Sequence, residues 1–129
     1  MDRLITGTHH ICLKPQNPAE FKKTIAFYRD VLGMPVTREW ENGIMLDTGD
    51  GTVMEIVMEG TGESGRGSIQ HFALRTDDVD ACCEAVRKAD YIVTEEPSDF
   101  TVPCREPYLI RYAFCLGPLG EEVEFFKEY

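Results

Sequence analysis

Two histidines and two glutamates are the residues of this sequence whose types and positions best fit metal chemistry. His10 and His71 each open a short segment in which two residues, a leucine and a base follow the histidine. Glu55 and Glu124 each lie between hydrophobic residues later in their half of the chain. Two imidazoles and two carboxylates suit a divalent ion such as Ni, Co, Mn, Fe or Zn. Such a site requires a fold that brings these four side chains together.

The four residues belong to an internal repeat. Segments 10–14 and 71–75 match each other, and so do segments 54–56 and 123–125, which carry the glutamates. Two matching blocks in the same order indicate a duplicated unit. The second copy is longer between its helix and its last strands, where loops tolerate insertions. The repeat predicts that each copy gives one His and one Glu to a shared metal site.

Each copy has the pattern of a strand, a helix and three strands, which predicts an α+β fold. Asn17 can cap the first helix, Pro18 suits its first position, and Glu20 falls three residues after the cap. In the first unit, at about 6–59, we predict strands at 8–14, 36–40, 44–47 and 53–59 and a helix from Asn17 to Gly33. In the second, at about 68–129, we predict strands at 69–75, 91–94, 110–116 and 122–126, a helix beginning at Asp77 or Asp78, and a loop at 99–108. The Gly-rich segment 60–67 is predicted to link the units within a single domain.

Strand alternation places His10, Cys12 and Lys14 on one face of the first strand. By the same count, His71 and Arg75 share a face in the second unit. These polar faces are predicted to line the cleft. His9 falls on the opposite face and has no counterpart in the second copy, which favours a surface or hydrogen-bonding role.

Composition narrows the choice of partners. The 129 residues carry a net charge of −10, which argues against a nucleic acid or an anionic membrane surface. No stretch of about 18 apolar residues occurs, and the start lacks the pattern of a signal peptide. Five cysteines without a C-x-x-C pair favour reduced thiols and a cytoplasmic protein.

The sequence resembles the vicinal-oxygen-chelate superfamily, which includes glyoxalase I, methylmalonyl-CoA epimerase, extradiol dioxygenases and the bleomycin and fosfomycin resistance proteins. The resemblance covers nearly the whole chain and rests on segments 10–13, 26–34, 54–56, 70–74 and 117–124. It implies two βαβββ modules whose mixed sheet forms a cup around a metal. His10, Glu55, His71 and Glu124 fall where glyoxalase I-like members carry their ligands. Gly117 departs from the family, which often has Asp there, and no clear set of glutathione-binding residues is present.

The resemblance implies metal-assisted proton transfer. A small substrate with two adjacent oxygens would chelate the ion, and either Glu124 or Glu55 would act as the base. In glyoxalase I-like chemistry this converts a methylglyoxal hemithioacetal into a thioester. Lys14 or Arg75 would hold a substrate carboxylate, and Arg105 and Arg111 are further candidates.

Two rival functions remain open on the sequence. One is an epimerase acting on the same metal site, and the other is a non-catalytic binding protein of the bleomycin-resistance type. Trp40, Phe100, Tyr108 and Tyr112 are candidates for an aromatic pocket under either interpretation. We expect a homodimer, and the sequence leaves open whether one chain or two build each site.

Overall fold

A computed structural model describes residues 8–58, 71–103 and 106–129. The order of strand, helix and three strands occurs twice, as the repeat predicted. The first unit contains β1 (His10–Leu13), α1 (Pro18–Ile25), a π-helical turn (Ala26–Val31), β2 (Val36–Trp40), β3 (Gly43–Asp47) and β4 (Val53–Val57). The second contains β5 (Phe72–Arg75), α2 (Val79–Lys88), β6 (Val93–Val102), β7 (Tyr108–Leu116) and β8 (Glu122–Glu128). The predicted linker at 60–67 lies outside the described residues.

Each unit forms its own four-stranded mixed sheet. The strand orders are β1-β4-β3-β2 and β5-β8-β7-β6, so the two sheets have the same topology. In each, the first strand pairs in parallel with the last, and the remaining pairs are antiparallel. The parallel strands are joined by a long connection, which runs through α1, β2 and β3 in the first unit and through α2, β6 and β7 in the second. The predicted α+β class and its two modules are confirmed.

The first helix begins after Asn17 as the sequence predicts, and the second begins after Asp78, one of the two candidates Asp77 and Asp78. The Asn17 side chain accepts a hydrogen bond from the backbone N–H of Glu20 at 2.8 Å, and Pro18 occupies the first turn. The Asp78 side chain caps α2 by accepting from the N–H of Ala81 at 3.0 Å. These caps satisfy donors that a helix leaves unpaired. No helix in the described part of the chain is long and apolar enough to cross a membrane.

The first helix changes character before it ends. The α-helix stops at Ile25 and a π-helical turn continues to Val31, where a single α-helix to Gly33 was expected. The wider turn brings two consecutive side chains, Phe27 and Tyr28, fully inside the protein. Gly33 then ends the segment with a φ of 79°. A search for the α-helical period of 3.6 residues per turn does not detect a π-helical turn, because that turn is determined by what its side chains pack against.

Strand alternation separates a core face from a second face in each sheet. Ile44, Leu46, Met54 and Ile56 are buried in the first sheet, and Ala113, Cys115, Val123 and Phe125 are buried in the second. Helix α1 packs on β4, and α2 packs on β6, β7 and β8. Glu55 and Glu124 alternate with these buried residues. We call the face of each sheet that carries the glutamate its ligand face.

The predicted loop at 99–108 is wrong. Strand β6 runs to Val102 and β7 begins at Tyr108, so only 103–107 connects them. Pro97 lies within β6, at a shift of register between Glu95 and Ser98. Because β6 is an edge strand, it tolerates a proline and a bulge that would disrupt a central strand.

The described cysteines are free thiols, namely Cys12, Cys82, Cys83 and Cys115. Burial raises the pKa of Cys83 to about 11 and that of Cys115 to about 12. Such thiols are poor nucleophiles and act as small core residues. Cys104 lies outside the described residues.

Candidate metal centre

The first unit pairs His10 with Glu55. Strands β1 and β4 are parallel neighbours, and their register sets Cys12 opposite Glu55. His10 lies two residues before Cys12 and therefore on the same face. Its Nε2 is 3.8 Å from Glu55 Oε1, with side chains 42% and 19% exposed.

The second unit repeats this arrangement with His71 and Glu124. Here Ala73 lies opposite Glu124, and His71 precedes Ala73 by two residues. The distance from His71 Nε2 to Glu124 Oε1 is 3.3 Å. The side chains are 34% and 12% exposed, so this pair is more enclosed than the first. The repeat in sequence therefore becomes a repeat of His–Glu pairs on the two ligand faces.

In the second pair, burial is the main influence on the pKa of Glu124. It raises the pKa of Glu124, and the neighbouring His71 opposes that rise. In the first pair, the thiol of Cys12 has a raised pKa because of its own burial and the adjacent Glu55 carboxylate. The two carboxylates thus have different surroundings although their backbone positions are equivalent.

The two pairs remain separate within one chain. Among residues 8–58, 71–103 and 106–129, no group of three or more His, Cys, Asp or Glu side chains is close enough to hold a metal ion. Each sheet therefore offers two ligands, and the four-ligand site stays a prediction. The chain brings His10 to Glu55 and His71 to Glu124, but not one pair to the other.

The predicted substrate-binding bases lie in different surroundings. Lys14 is exposed just after β1, and its charge acts on the Cys12 thiol on the ligand face. Arg75 is exposed at the end of β5 and interacts with Asp50 of the first unit. It lines a cleft of about 760 Å³ between the β3–β4 turn and the strands β5 and β8. Their substrate-binding roles stay predictions.

Arg111 is engaged elsewhere. Its guanidinium donates to both carboxylate oxygens of Asp80 on α2, at 2.8 and 2.9 Å, and to Asp99 at 3.2 Å. These partners lie on the helix side of the second sheet. Arg111 is therefore not available to bind a substrate at the ligand face. The other candidate, Arg105, lies outside the described residues.

His9 has the hydrogen-bonding role that its lack of a counterpart suggested. Its Nδ1 lies 2.9 Å from the Nδ1 of His10. Its backbone carbonyl accepts from the N–H of Val53 at 3.0 Å. The backbone bond joins the residue before β1 to β4, and the contact between the two imidazoles restrains the His10 ring.

A buried carboxylate, Glu121, links the two units and was missed on the sequence. It is 6% exposed, accepts from the Tyr28 hydroxyl at 2.8 Å and from the Leu119 N–H at 2.8 Å. A Cβ at Gly117 would overlap this carboxylate. Glu121 therefore occupies the space of the side chain that Gly117 lacks. Gly117, at a position where the family often has Asp, was the sequence feature that could have pointed to Glu121.

Aromatic side chains lie on both ligand faces. In the first sheet, the Trp40 ring covers Gly43, where a Cβ would collide with the indole. In the second, ring contacts join His71 to Phe114, Phe114 to Tyr112 and Tyr112 to Phe100. We call these four rings the aromatic row. Phe114 was not among the aromatic residues singled out from the sequence.

The family model described as "Glyoxalase/Bleomycin resistance protein/Dioxygenase superfamily" matches residues 7–125. The chain belongs to this superfamily. A Vibrio cholerae protein named "Probable lactoylglutathione lyase" is 32% identical over 102 residues, which are 70% of this chain and 74% of the relative.

Solved structures show the same fold. A glyoxalase family protein from Bacillus anthracis aligns over 100% of both chains, with a TM-score of 0.73 and 18% identity. An antibiotic binding protein from Streptomyces aligns over 99% of this chain and 100% of its own, with a TM-score of 0.69 and 20% identity. The same fold therefore occurs in a protein named as a glyoxalase family member and in one named for antibiotic binding.

Proposed function

We propose that this superfamily member is a metal-dependent, glyoxalase-like lyase or isomerase. It would move a proton on a small substrate that is chelated through two adjacent oxygens. The observation that supports this is the occurrence of a His–Glu pair at equivalent positions of both ligand faces. The relative named for lactoylglutathione lyase activity points in the same direction.

The donor set fits a divalent ion. Imidazole nitrogens and carboxylate oxygens are ligands shared by Ni, Co, Mn, Fe and Zn. His10, Glu55, His71 and Glu124 would hold the ion. When bound, the ion would polarise the substrate oxygens and stabilise the negative charge that develops as the proton leaves.

One of the two glutamates would also transfer the proton. Either Glu55 or Glu124 would take it from the carbon next to a carbonyl and return it to the neighbouring carbon. With a methylglyoxal hemithioacetal, this transfer gives the thioester of a hydroxy acid without any net redox change. Lys14 lies beside the ligand face and would hold a substrate carboxylate, as would Arg75 if a ligand reached the cleft.

We further propose that the protein acts as a homodimer. Since the His–Glu pairs lie on separate sheets of one chain, a site with four ligands needs the first pair of one copy to face the second pair of another. Closed two-fold assembly would then create two identical sites. Light scattering that detected only a monomer would contradict this arrangement.

A second candidate function is binding of a small aromatic compound without chemistry. The aromatic row supports it, because Phe100 is 49% exposed and lies on a sheet face rather than in the core. An epimerase would share the metal site and differ only in its substrate. Metal content and product analysis separate these possibilities.

The deciding experiment is the metal content of protein purified without chelator or affinity-tag metal. We expect about one Ni, Co, Mn, Fe or Zn per chain in the wild type. His71→Ala and Glu124→Ala should each lose it, while Glu128→Ala, which changes an exposed glutamate near the end of the same strand, should retain it. Metal-loaded protein would then be assayed with methylglyoxal and several thiols, and with epimerase substrates.

The opposite result would be equally informative. A wild type that binds none of these ions after incubation with each would contradict the proposed chemistry. The binding-protein candidate would then lead. Metal binding without turnover of any of these substrates would support the four-ligand site and contradict the lyase and epimerase activities.

A further inference from the structure

The aromatic row runs outward from a metal-ligand candidate along one sheet. Ring centroids are separated by 5.2 Å from His71 to Phe114, 6.0 Å from Phe114 to Tyr112 and 6.4 Å from Tyr112 to Phe100. All three contacts are edge-to-face. The row therefore begins at the His71–Glu124 pair and ends at a half-exposed ring.

The row lies on the ligand face of the second sheet. Phe114 is opposite Glu124 in the register of β7 and β8. The residues that alternate with it, Ala113 and Cys115, are fully buried beneath α2. The pKa of Tyr112 is raised first by its hydrogen bond to Glu95, and the charge of Glu124 adds a smaller contribution. A molecule held at His71 and Glu124 would therefore extend over these rings.

A carboxylate flanks the row. The Tyr112 hydroxyl donates to Glu95 Oε1 at 2.7 Å, and Glu95 is opposite Phe114 in the register of β6 and β7. The charge of Glu95 also acts on Glu124. Rings beside two carboxylates favour a planar group that is neutral or cationic and disfavour an anionic one.

We propose that the aromatic row is the subsite for an aromatic substituent of the substrate, and that Glu95 selects against an anionic group on that substituent. The proposal rests on the proposed function, since the metal would hold the chelating end of the same molecule. A thiol partner that carries two carboxylates would meet like charge here. Glu95, Tyr112 and Phe100 are thus specificity-determining residues.

Two non-reacting chelators test the row directly. Acetohydroxamate and benzohydroxamate both present two adjacent oxygens, and they differ in carrying a methyl or a phenyl group. Each would be titrated calorimetrically into Zn-loaded wild type, Phe100→Ala and Tyr112→Ala. We expect benzohydroxamate to bind roughly tenfold more tightly to the wild type, because it adds ring contacts. Both variants should lower its affinity several-fold and leave that of acetohydroxamate unchanged.

The matched control is Leu109→Ala. Leu109 is an exposed apolar side chain on β7, on the side of the strand opposite to Tyr112. This variant should bind both chelators as the wild type does. For Glu95, the probe is 4-carboxybenzohydroxamate, which should bind more weakly than benzohydroxamate to the wild type. Glu95→Gln should recover most of that difference.

The outcomes separate this proposal from the proposed function. If neither hydroxamate binds, the metal site itself is wrong, and no chelated substrate would reach the row. If both bind the wild type equally, or if Phe100→Ala weakens both to the same extent, the metal site stands and the aromatic subsite is rejected. An equal loss in Leu109→Ala would likewise reject it.

Discussion

At the scale of single residues, Glu121 is a buried carboxylate that connects the two units. Its carboxylate accepts one hydrogen bond from its own turn, at Leu119, and one from Tyr28 of the other unit. An Asp at position 117 could accept the same hydrogen bond from the Leu119 N–H in an Asx-turn. Glu121 accepts that bond and also reaches the Tyr28 hydroxyl. Because β8 begins one residue later and carries Glu124, this contact ties the second ligand pair to the first unit.

Glu121 should make stability depend on pH. Burial raises its pKa from 4.5, so the carboxyl holds its proton more tightly in the folded protein than in the unfolded chain. This contribution favours the folded state at low pH and is lost as pH rises from about 4.5 through the raised value. Glu121→Gln should flatten this part of the dependence, as measured by urea unfolding between pH 4 and pH 8 in the presence of chelator. An unchanged pH profile in the variant would show that Glu121 does not titrate in this way.

At the scale of elements, helix caps and close side-chain contacts fix the strands and helices. Asn17 begins α1 and Gly43 begins β3, and both have a specific local partner. In the second unit, Arg111 joins α2 to β6 through Asp80 and Asp99, and the pKa of both carboxyls is lowered in part by this contact. The Arg111 contacts hold α2 on the core side of the second sheet, away from its ligand face.

Removing the cap of α1 should cost stability without affecting the site. Asn17→Ala deletes the acceptor for the Glu20 N–H, and such a loss typically costs about 1 kcal/mol of the free energy of unfolding. Gln16→Ala, one residue earlier, is the matched control and should have little effect. Chemical denaturation of metal-free protein would measure both, and equal stabilities would refute the capping role.

The contact between Trp40 and Gly43 has a spectroscopic consequence. Trp40 is the only tryptophan in the sequence, and its ring occupies the space above Gly43. Gly43→Ala should push the indole towards solvent and shift its fluorescence emission to longer wavelength. Ile92→Ala, at an exposed site in the second unit, should leave the emission unchanged. An unshifted spectrum in Gly43→Ala would mean that the ring does not rest on this glycine.

At the scale of the whole molecule, the decisive feature is that the two His–Glu pairs of one chain lie apart. Each sheet supplies one His–Glu pair, and no third ligand joins either pair within the described residues. A duplicated unit explains this, because each copy brings the same two donors. Completion of the proposed metal site would then depend on assembly of two chains as well as on folding.

Complementation between two inactive variants should reveal a shared site. One variant lacks His10 and Glu55, and the other lacks His71 and Glu124. In a mixed dimer, one site would keep all four ligands and the other would have none, so we expect about one ion per mixed dimer and about two in the wild type. Each variant alone should bind none. Mixed dimers, isolated with two different tags, that also bind no metal would show that the two pairs do not meet across the interface.

The sequence by itself determined the features that depend on local chemistry and on period. Asn17 begins a helix because its side chain satisfies a free backbone donor nearby, and the same chemistry narrowed the start of α2 to Asp77 or Asp78, of which Asp78 is the cap. Strand alternation placed Ile11 and Phe72 on the core faces, and it placed His10 and His71 on the opposite faces. The repeat identified the two glutamates that pair with these histidines.

Only the tertiary structure decided which distant residues meet. The length of β6 follows from its pairing with β7, which outweighs the turn signals near Pro103 and Pro107. The burial of Glu121 depends on Tyr28, which lies far away in sequence, and the pairing of Arg111 depends on α2. The separation of the two His–Glu pairs follows from the packing of two sheets. Local sequence propensity cannot predict these contacts, because each joins segments that are far apart in sequence and that meet only when the whole chain folds.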